Sequence, residues 1–200
     1  MKLGNFASLA TAVVLAAGSC LATAQSYPSR PIRIVQGFAP GGNADTIARV
    51  LGGEMAKGLG QPLVVEARPG AGGNLASDAV AKAQPDGYTL LLAVGGHSVS
   101  GALYKTLAYR SIEDFAWIST ATVFPFLVSV RNDYGAKTLK QLLAMAKAKA
   151  DAVSYGTAGV GSTQHLTGEL LASMGGVRIL HVPYKGDAGA VTAILSGEIN

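Results

Sequence analysis

Three times in this chain a short apolar run passes through a glycine-rich turn straight into residues of helical periodicity, at positions 39–42, 70–73 and 159–162. That repetition constrains the fold more than any other feature, because a parallel strand reaches its neighbour only through a crossover, usually a helix. Residues 32–38 read as the first strand, with Arg33 and Gln36 its only strongly polar members. Ile47, Leu51, Met55 and Leu59 then recur every fourth residue, on one helical face, and Asn43 or Asp45 is placed to cap the helix start. Gly52 and Gly53 should each weaken that helix by about 1 kcal/mol relative to alanine, a cost that close packing on the sheet would explain. Residues 62–66 and 88–94 follow as strands, flanking a small-residue helix over 74–83 that stops at Pro85-Asp86-Gly87.

The middle of the chain is less regular. A short helix is expected to close at Leu103-Tyr104-Lys105, and residues 117–130 form a long apolar, β-branched run broken by Pro125. A proline there marks an edge strand or a crossover, so the passage between two domains is expected in this run. The alternation then resumes. Thr138-Leu139-Lys140-Gln141 is a capping-box pattern, 153–157 reads as a strand, and Leu166, Leu170, Leu171 and Met174 give the next helix its apolar face. A strand over 177–182, the turn Pro183-Tyr184-Lys185-Gly186, a last helix and the start of another strand at 197–199 complete the pattern. The expectation is an α/β protein of two domains, 25–122 and 123–200, the second incomplete.

The N-terminus reads as a secretory signal over residues 1–24. Lys2 supplies the positive charge, 9–21 is almost wholly apolar but too short to span a membrane, and Ala22-Thr23-Ala24 fits a small-x-small cleavage site near Ala24. A lipid-anchored alternative would keep and acylate Cys20. Otherwise the mature chain has no thiol, since the sequence holds a single cysteine, and disulfides and cysteine-based zinc sites are excluded. His97, His165 and His181 stand apart, with no second metal ligand at helical or short-loop spacing. The formal charge of +4 carries no Lys/Arg block of the kind nucleic acid requires. No cofactor is expected: Gly159-Val160-Gly161 lacks the third glycine of a dinucleotide fingerprint, and no turn carries the Gly-Lys-Ser/Thr of a P-loop.

Each glycine-rich turn joins the C-terminal end of a strand to a helix N-terminus, the edge of an α/β sheet where ligands bind. Backbone N–H groups bared by glycine, with the positive ends of helix dipoles, suit an anion. A competing reading is a secreted α/β serine hydrolase. Gly96-His97-Ser98-Val99-Ser100 comes within one residue of a nucleophile elbow, with His165 or His181 and Asp133 or Asp151 as further triad members, although Ser100 replaces the final glycine.

Tyr27-Pro28 and Pro31-Ile32, Phe38-Ala39-Pro40-Gly41-Gly42 with Asp45 and Arg49, and Arg68-Pro69-Gly70-Ala71-Gly72-Gly73 begin a longer pattern. Pro85-Asp86-Gly87-Tyr88-Thr89-Leu90, Tyr155-Gly156 with Gly159, Gly161-Ser162 and His165, and His181-Val182-Pro183-Tyr184-Lys185-Gly186 continue it. Together they resemble the Bug family, the periplasmic solute receptors of tripartite tricarboxylate transporters. The resemblance implies a periplasmic-binding-protein type II fold, α/β with two domains and a central cleft, here lacking its C-terminal part. It implies a monomer that is not an enzyme, holds a small carboxylate (an organic acid or acidic amino acid) and delivers it to the membrane components of such a transporter. By position, Phe38, Ala39, Pro40, Gly41 and Gly42, with Gly70, Ala71, Gly72 and Gly73, would contribute from the first domain. Thr157, Ala158, Gly159, Gly161, Ser162 and His165 would contribute from the second, and Ser98 is a further candidate. Gly37, Ala67 and Ser100-Gly101 depart from the family's usual proline, asparagine and Asn-Pro.

Overall fold

The computed structural model describes residues 26–200, so the signal-peptide and Cys20 readings lie outside the described residues. The first sheet is parallel throughout. β1 (Ile32–Gln36) lies between β2 (Leu63–Ala67) and β3 (Thr89–Leu92), with Ile34 opposite Val65 on one side and Leu90 on the other. Its central place buries Ile32, Ile34, Val35 and Gln36 almost completely. Because the chain goes from β1 out to β2 and then back past β1 to β3, the order reverses between β1 and β3. A crevice is expected at their C-terminal ends.

The helix α1 (Asn43–Leu59) packs on β1 and β2 through Ala44, Ala48 and Gly52 rather than through its larger apolar residues. A Cβ on Gly52 would stand 3.3 Å from the Ile34 side chain and 3.4 Å from that of Leu63, so the glycine allows the close approach expected of it. Gly53 faces open space and has no such role. Ile47, Leu51 and Met55 flank the contact, half-buried. Nor do Asn43 and Asp45 cap the helix, because Gly42 is the N-cap and carries no side chain. A short 3₁₀ turn (Ala71–Gly73) leads into α2 (Asn74–Ala81), and β3 leads into α3 (Gly95–Leu103), which ends where the sequence places a helix end.

The second sheet pairs β4 (Ser154–Thr157) with β5 (Leu180–Pro183), also in parallel, with α4 (Leu139–Ala148), α5 (Thr163–Gly175) and α6 (Asp187–Ser196) around it. Leu142 and Ala146 of α4 make a small core with Ala136 and Val153. The cap of α4 is reciprocal but shifted by one residue. Thr138 Oγ1 accepts the Gln141 N–H at 3.2 Å, while Gln141 Oε1 accepts the N–H of Lys137 at 2.7 Å. At the end of the chain no strand forms over 197–199. Instead the Asn200 side chain accepts the Ser154 N–H at 2.9 Å and Ile199 is buried beside Gly156.

The apolar run expected as an edge strand or crossover is not a strand either. Residues 117–130 hold no regular structure, and Ile118, Val123 and Leu127 are 80%, 88% and 84% exposed. A strand exists only against a neighbour, and this run pairs with none of the described strands. No helix among the described residues is long and apolar enough to cross a membrane.

Candidate functional site

The C-terminal ends of the two sheets face each other, and their turns touch. A Cβ on Gly72 would stand 2.6 Å from the Val160 carbonyl oxygen, and one on Gly96 would stand 2.7 Å from that of Gly161. Only glycine permits such an approach of backbone to backbone, and Gly72 also adopts the left-handed region, with φ of 63°. Tyr104 at the end of α3 donates its hydroxyl across the same junction, 3.3 Å from the Ala71 oxygen and 3.4 Å from that of Val160.

A second junction joins the turn after β1 to the turn after β5. The Ala39 N–H donates to the Lys185 carbonyl at 3.0 Å, and the Asn43 N–H, in the first turn of α1, donates to Asp187 Oδ2 at 3.2 Å. Gln164 Nε2 donates to the other carboxylate oxygen of Asp187 at 2.9 Å. Between the junctions opens a cavity of about 1150 Å³, with Phe38, Asn43, Val94, Gly95 and Ser98 on one side and Ala158, Thr163, Gln164 and Asp187 on the other. It continues along β3 to the apolar segment 114–126.

The two walls spend their backbone donors differently. In the turn after β1, Phe38 N–H donates to Gln36 Oε1 at 2.8 Å and Gly41 N–H to Asp45 Oδ2 at 3.1 Å. With Ala39 held by Lys185 and Asn43 by Asp187, the N–H groups of Phe38, Ala39, Gly41 and Asn43 are already committed within the protein. Asp45 is almost wholly buried and also receives both Nε and a terminal nitrogen of Arg49, at 2.9 and 3.0 Å. That guanidinium, then the Gly41 N–H, holds its carboxyl below the usual carboxylate range. Asp45 is an anchor for the loop.

In the turn after β4 no N–H partner is a carboxylate. Gly159 N–H donates to Thr157 Oγ1 at 3.1 Å, Gly161 N–H donates to His165 Nδ1 at 3.3 Å, and Ser162 Oγ caps α5 by accepting the His165 N–H at 3.3 Å. His165 thus stands behind the loop, 4.2 Å from the ring of His181, which contacts Thr157 Oγ1 at 2.7 Å. Burial, then the neighbouring His165, lowers the pKa of His181. Glu169 lies 4.0 Å from His165 Nε2 and accepts the Tyr155 hydroxyl at 2.8 Å.

Of the candidate residues, Phe38, Ser98 and Ala158 line the large cavity, while Gly72 and Gly73 meet Phe38 in a small pocket beside it. Thr157 and Ser162 are buried supports. The hydrolase reading finds no support. Among the described residues Ser98 has no hydrogen bond to a histidine or carboxylate, and it sits inside the first turn of α3 rather than at the strand-to-helix corner. His97 is buried instead, its ring nitrogens 2.8 Å from Ser77 Oγ and 2.8 Å from the Ser111 oxygen, with Tyr109 stacked on it. Asn43, Thr163, Gln164 and Asp187 were not among the expected site residues. The signal for Asp187 was present, as the turn after β5 is a fifth strand-to-helix connection on the same edge.

Two α/β lobes that meet by their strand C-terminal ends beside a cleft are the architecture of periplasmic binding proteins. Comparison makes the assignment specific: the family described as "Tripartite tricarboxylate transporter family receptor" (TctC) matches residues 47–200, and the chain belongs to it. An Agrobacterium vitis protein of the TAR-I ttuE-ttuC' intergenic region is 45% identical over 88% of this chain and 51% of its own length. BugT of Bordetella pertussis is 37% identical over 88% of this chain and 55% of its own. Among solved structures, MatC of Rhodopseudomonas palustris with bound malate superposes with a TM-score of 0.81 at 37% identity, covering 86% of this chain and 59% of that one. The periplasmic binding protein BugD superposes with a TM-score of 0.76 at 37% identity, over 86% and 58%. The chain therefore spans between half and three-fifths of the length of these relatives.

Proposed function

We propose that this chain supplies the ligand-closing edges of a periplasmic receptor that captures a small carboxylate and presents it to the membrane components of a tripartite tricarboxylate-type transporter. The observation that carries the reading is the meeting of glycine turns from both lobes, Gly72 on Val160 and Gly96 on Gly161, beside a cavity that both lobes line. A ligand that touches both walls only when they are together stabilises the closed form, and that differential contact is the binding mechanism. The MatC structure with malate and a further R. palustris structure with adipate, 32% identical, support a carboxylate as the solute class. Export by cleavage near Ala24, a monomeric receptor, a lobe boundary near residues 122–123 and the absence of catalysis complete the proposal.

The test is thermal denaturation of the receptor, purified at its full natural length, against a panel of mono-, di- and tricarboxylates and acidic amino acids. A ligand at about a hundred times its Kd should add about 2.7 kcal/mol of stability. No shift with any member of the panel would overturn the reading.

A further inference from the structure

The cavity is electrically lopsided. No lysine, arginine or histidine lines it among the described residues, and its charged lining groups are Asp114 and Asp187. Asp114 is engaged by Arg110, which donates its backbone N–H and a guanidinium nitrogen to it at 2.8 Å each. Asp187 has no cation: its partners are the Asn43 N–H and the Gln164 amide, one bond to each oxygen, which leaves acceptor capacity on both. This carboxylate also accepts the Asn43 N–H at the start of α1, and the Phe38, Ala39 and Gly41 N–H groups of that loop are committed to Gln36, Lys185 and Asp45. Asp187 also reaches the second lobe's wall through Gln164, in the first turn of α5, so it stands between the two helix N-termini with Ala158 and Thr163 beside it.

A simple diacid would set one of its carboxylates against Asp187, and like charges in a part-buried site disfavour each other. Resting on the carboxylate-receptor reading, we infer that Asp187 makes this receptor selective for acids that also carry a hydrogen-bond donor, an ammonium or a hydroxyl, at the end facing Asp187. The carboxylate of such a ligand lies away from Asp187. Its donor fills the free acceptor positions of Asp187, and an ammonium does so with complementary charge.

Titration calorimetry on the full-length receptor tests this with ligands matched in carbon number: succinate, malate and aspartate, then glutarate, 2-hydroxyglutarate and glutamate. Within the series that binds, the bare diacid should be weaker than a donor-bearing member by about tenfold or more, since it leaves the acceptor unpaired. Asp187→Asn keeps the shape and the bond from the Asn43 N–H, and a flipped Gln164 amide can accept from its new Nδ2. It should reduce the advantage of the ammonium compound over the bare diacid while retaining a preference for the hydroxyl compound, and Asp187→Ala should remove both preferences. Far-UV circular dichroism of each variant confirms that it is folded. A bare diacid that binds as tightly as its donor-bearing partners, or a preference that survives Asp187→Ala, overturns the role of Asp187 while leaving the carboxylate receptor intact. Absence of binding by every acid in both series overturns the receptor reading and this inference together.

Discussion

The turn after β1 and the turn after β4 have the same local design, a strand running through glycine into a helix N-terminus, yet they are wired in opposite ways. The first gives its N–H groups to carboxylates and carbonyls of the protein, Asp45, Asp187 and Lys185. The second gives them to a threonine hydroxyl, an imidazole nitrogen and the Gly159 carbonyl. Glycine in a loop therefore establishes access, whereas the acceptors brought by distant elements decide whether the access serves a ligand. N–H groups of the first turn meet carboxylates, and those of the second do not. That contrast can be broken experimentally.

The largest effect is expected where the two lobes meet. Gly96→Ala suits a helix better than glycine does, so the unliganded protein should keep its stability to within about 1 kcal/mol. Its new methyl group nevertheless falls on the Gly161 oxygen, and overpacking of that kind costs about 1–3 kcal/mol in the closed state alone. Calorimetry should show binding roughly ten- to hundredfold weaker; unchanged affinity would mean that these turns do not meet in the liganded form.

Next comes the anchor of the first wall. Asp45→Ala removes the acceptor of Gly41 and the partner of Arg49, and denaturant unfolding should report a loss of about 2 kcal/mol. The folded-state pKa of Asp45 is depressed, so its contribution is present above the unfolded carboxylate value and disappears as pH falls through the lower folded value. Wild type should thus lose stability from about pH 4 downward more steeply than Asp45→Asn. Equal acid limbs would place the stabilising charge elsewhere.

A smaller effect is expected behind the second wall. His181 is lowered by burial and by His165, so protonation favours the unfolded chain: stability is full above about pH 6.5 and declines as pH falls through the window below it. His181→Gln should flatten that decline by under about 1 kcal/mol between pH 7.5 and 5.5. If the decline is identical in the variant, the imidazole pair is not what titrates.

Much of the fold was legible because its signals are local. Period and glycine punctuation placed β1, α1, β2, α3 and α5 in order, and the capping pattern at Thr138 and Gln141 marked the start of α4. What stayed hidden depends on partners far along the chain. Asp187 meets Asn43 across 144 residues, so its turn reads as one more strand-to-helix connection while its partner stays hidden. His97 reads as a polar loop residue until Ser77, Ser111 and Tyr109 close around it. The run 117–130 has strand chemistry without a described neighbour, since the pattern records what a segment could pair with and not whether the partner is there.

Gly41 gives the smallest and most discriminating test of the contrast between the walls. By sequence it is the centre of an anion loop, and a side chain there should abolish binding. In the structure a Cβ on Gly41 meets open space, and its N–H belongs to Asp45 rather than to the cavity. The cost of Gly41→Ala is then the left-handed backbone alone, at φ of 84°, about 1 kcal/mol of stability. Affinity should stay within about twofold of wild type, because the group that would have touched the ligand is already spent. A loss of binding comparable to that of Gly96→Ala would restore the first turn as a direct ligand loop, and the walls would then differ in charge but not in role.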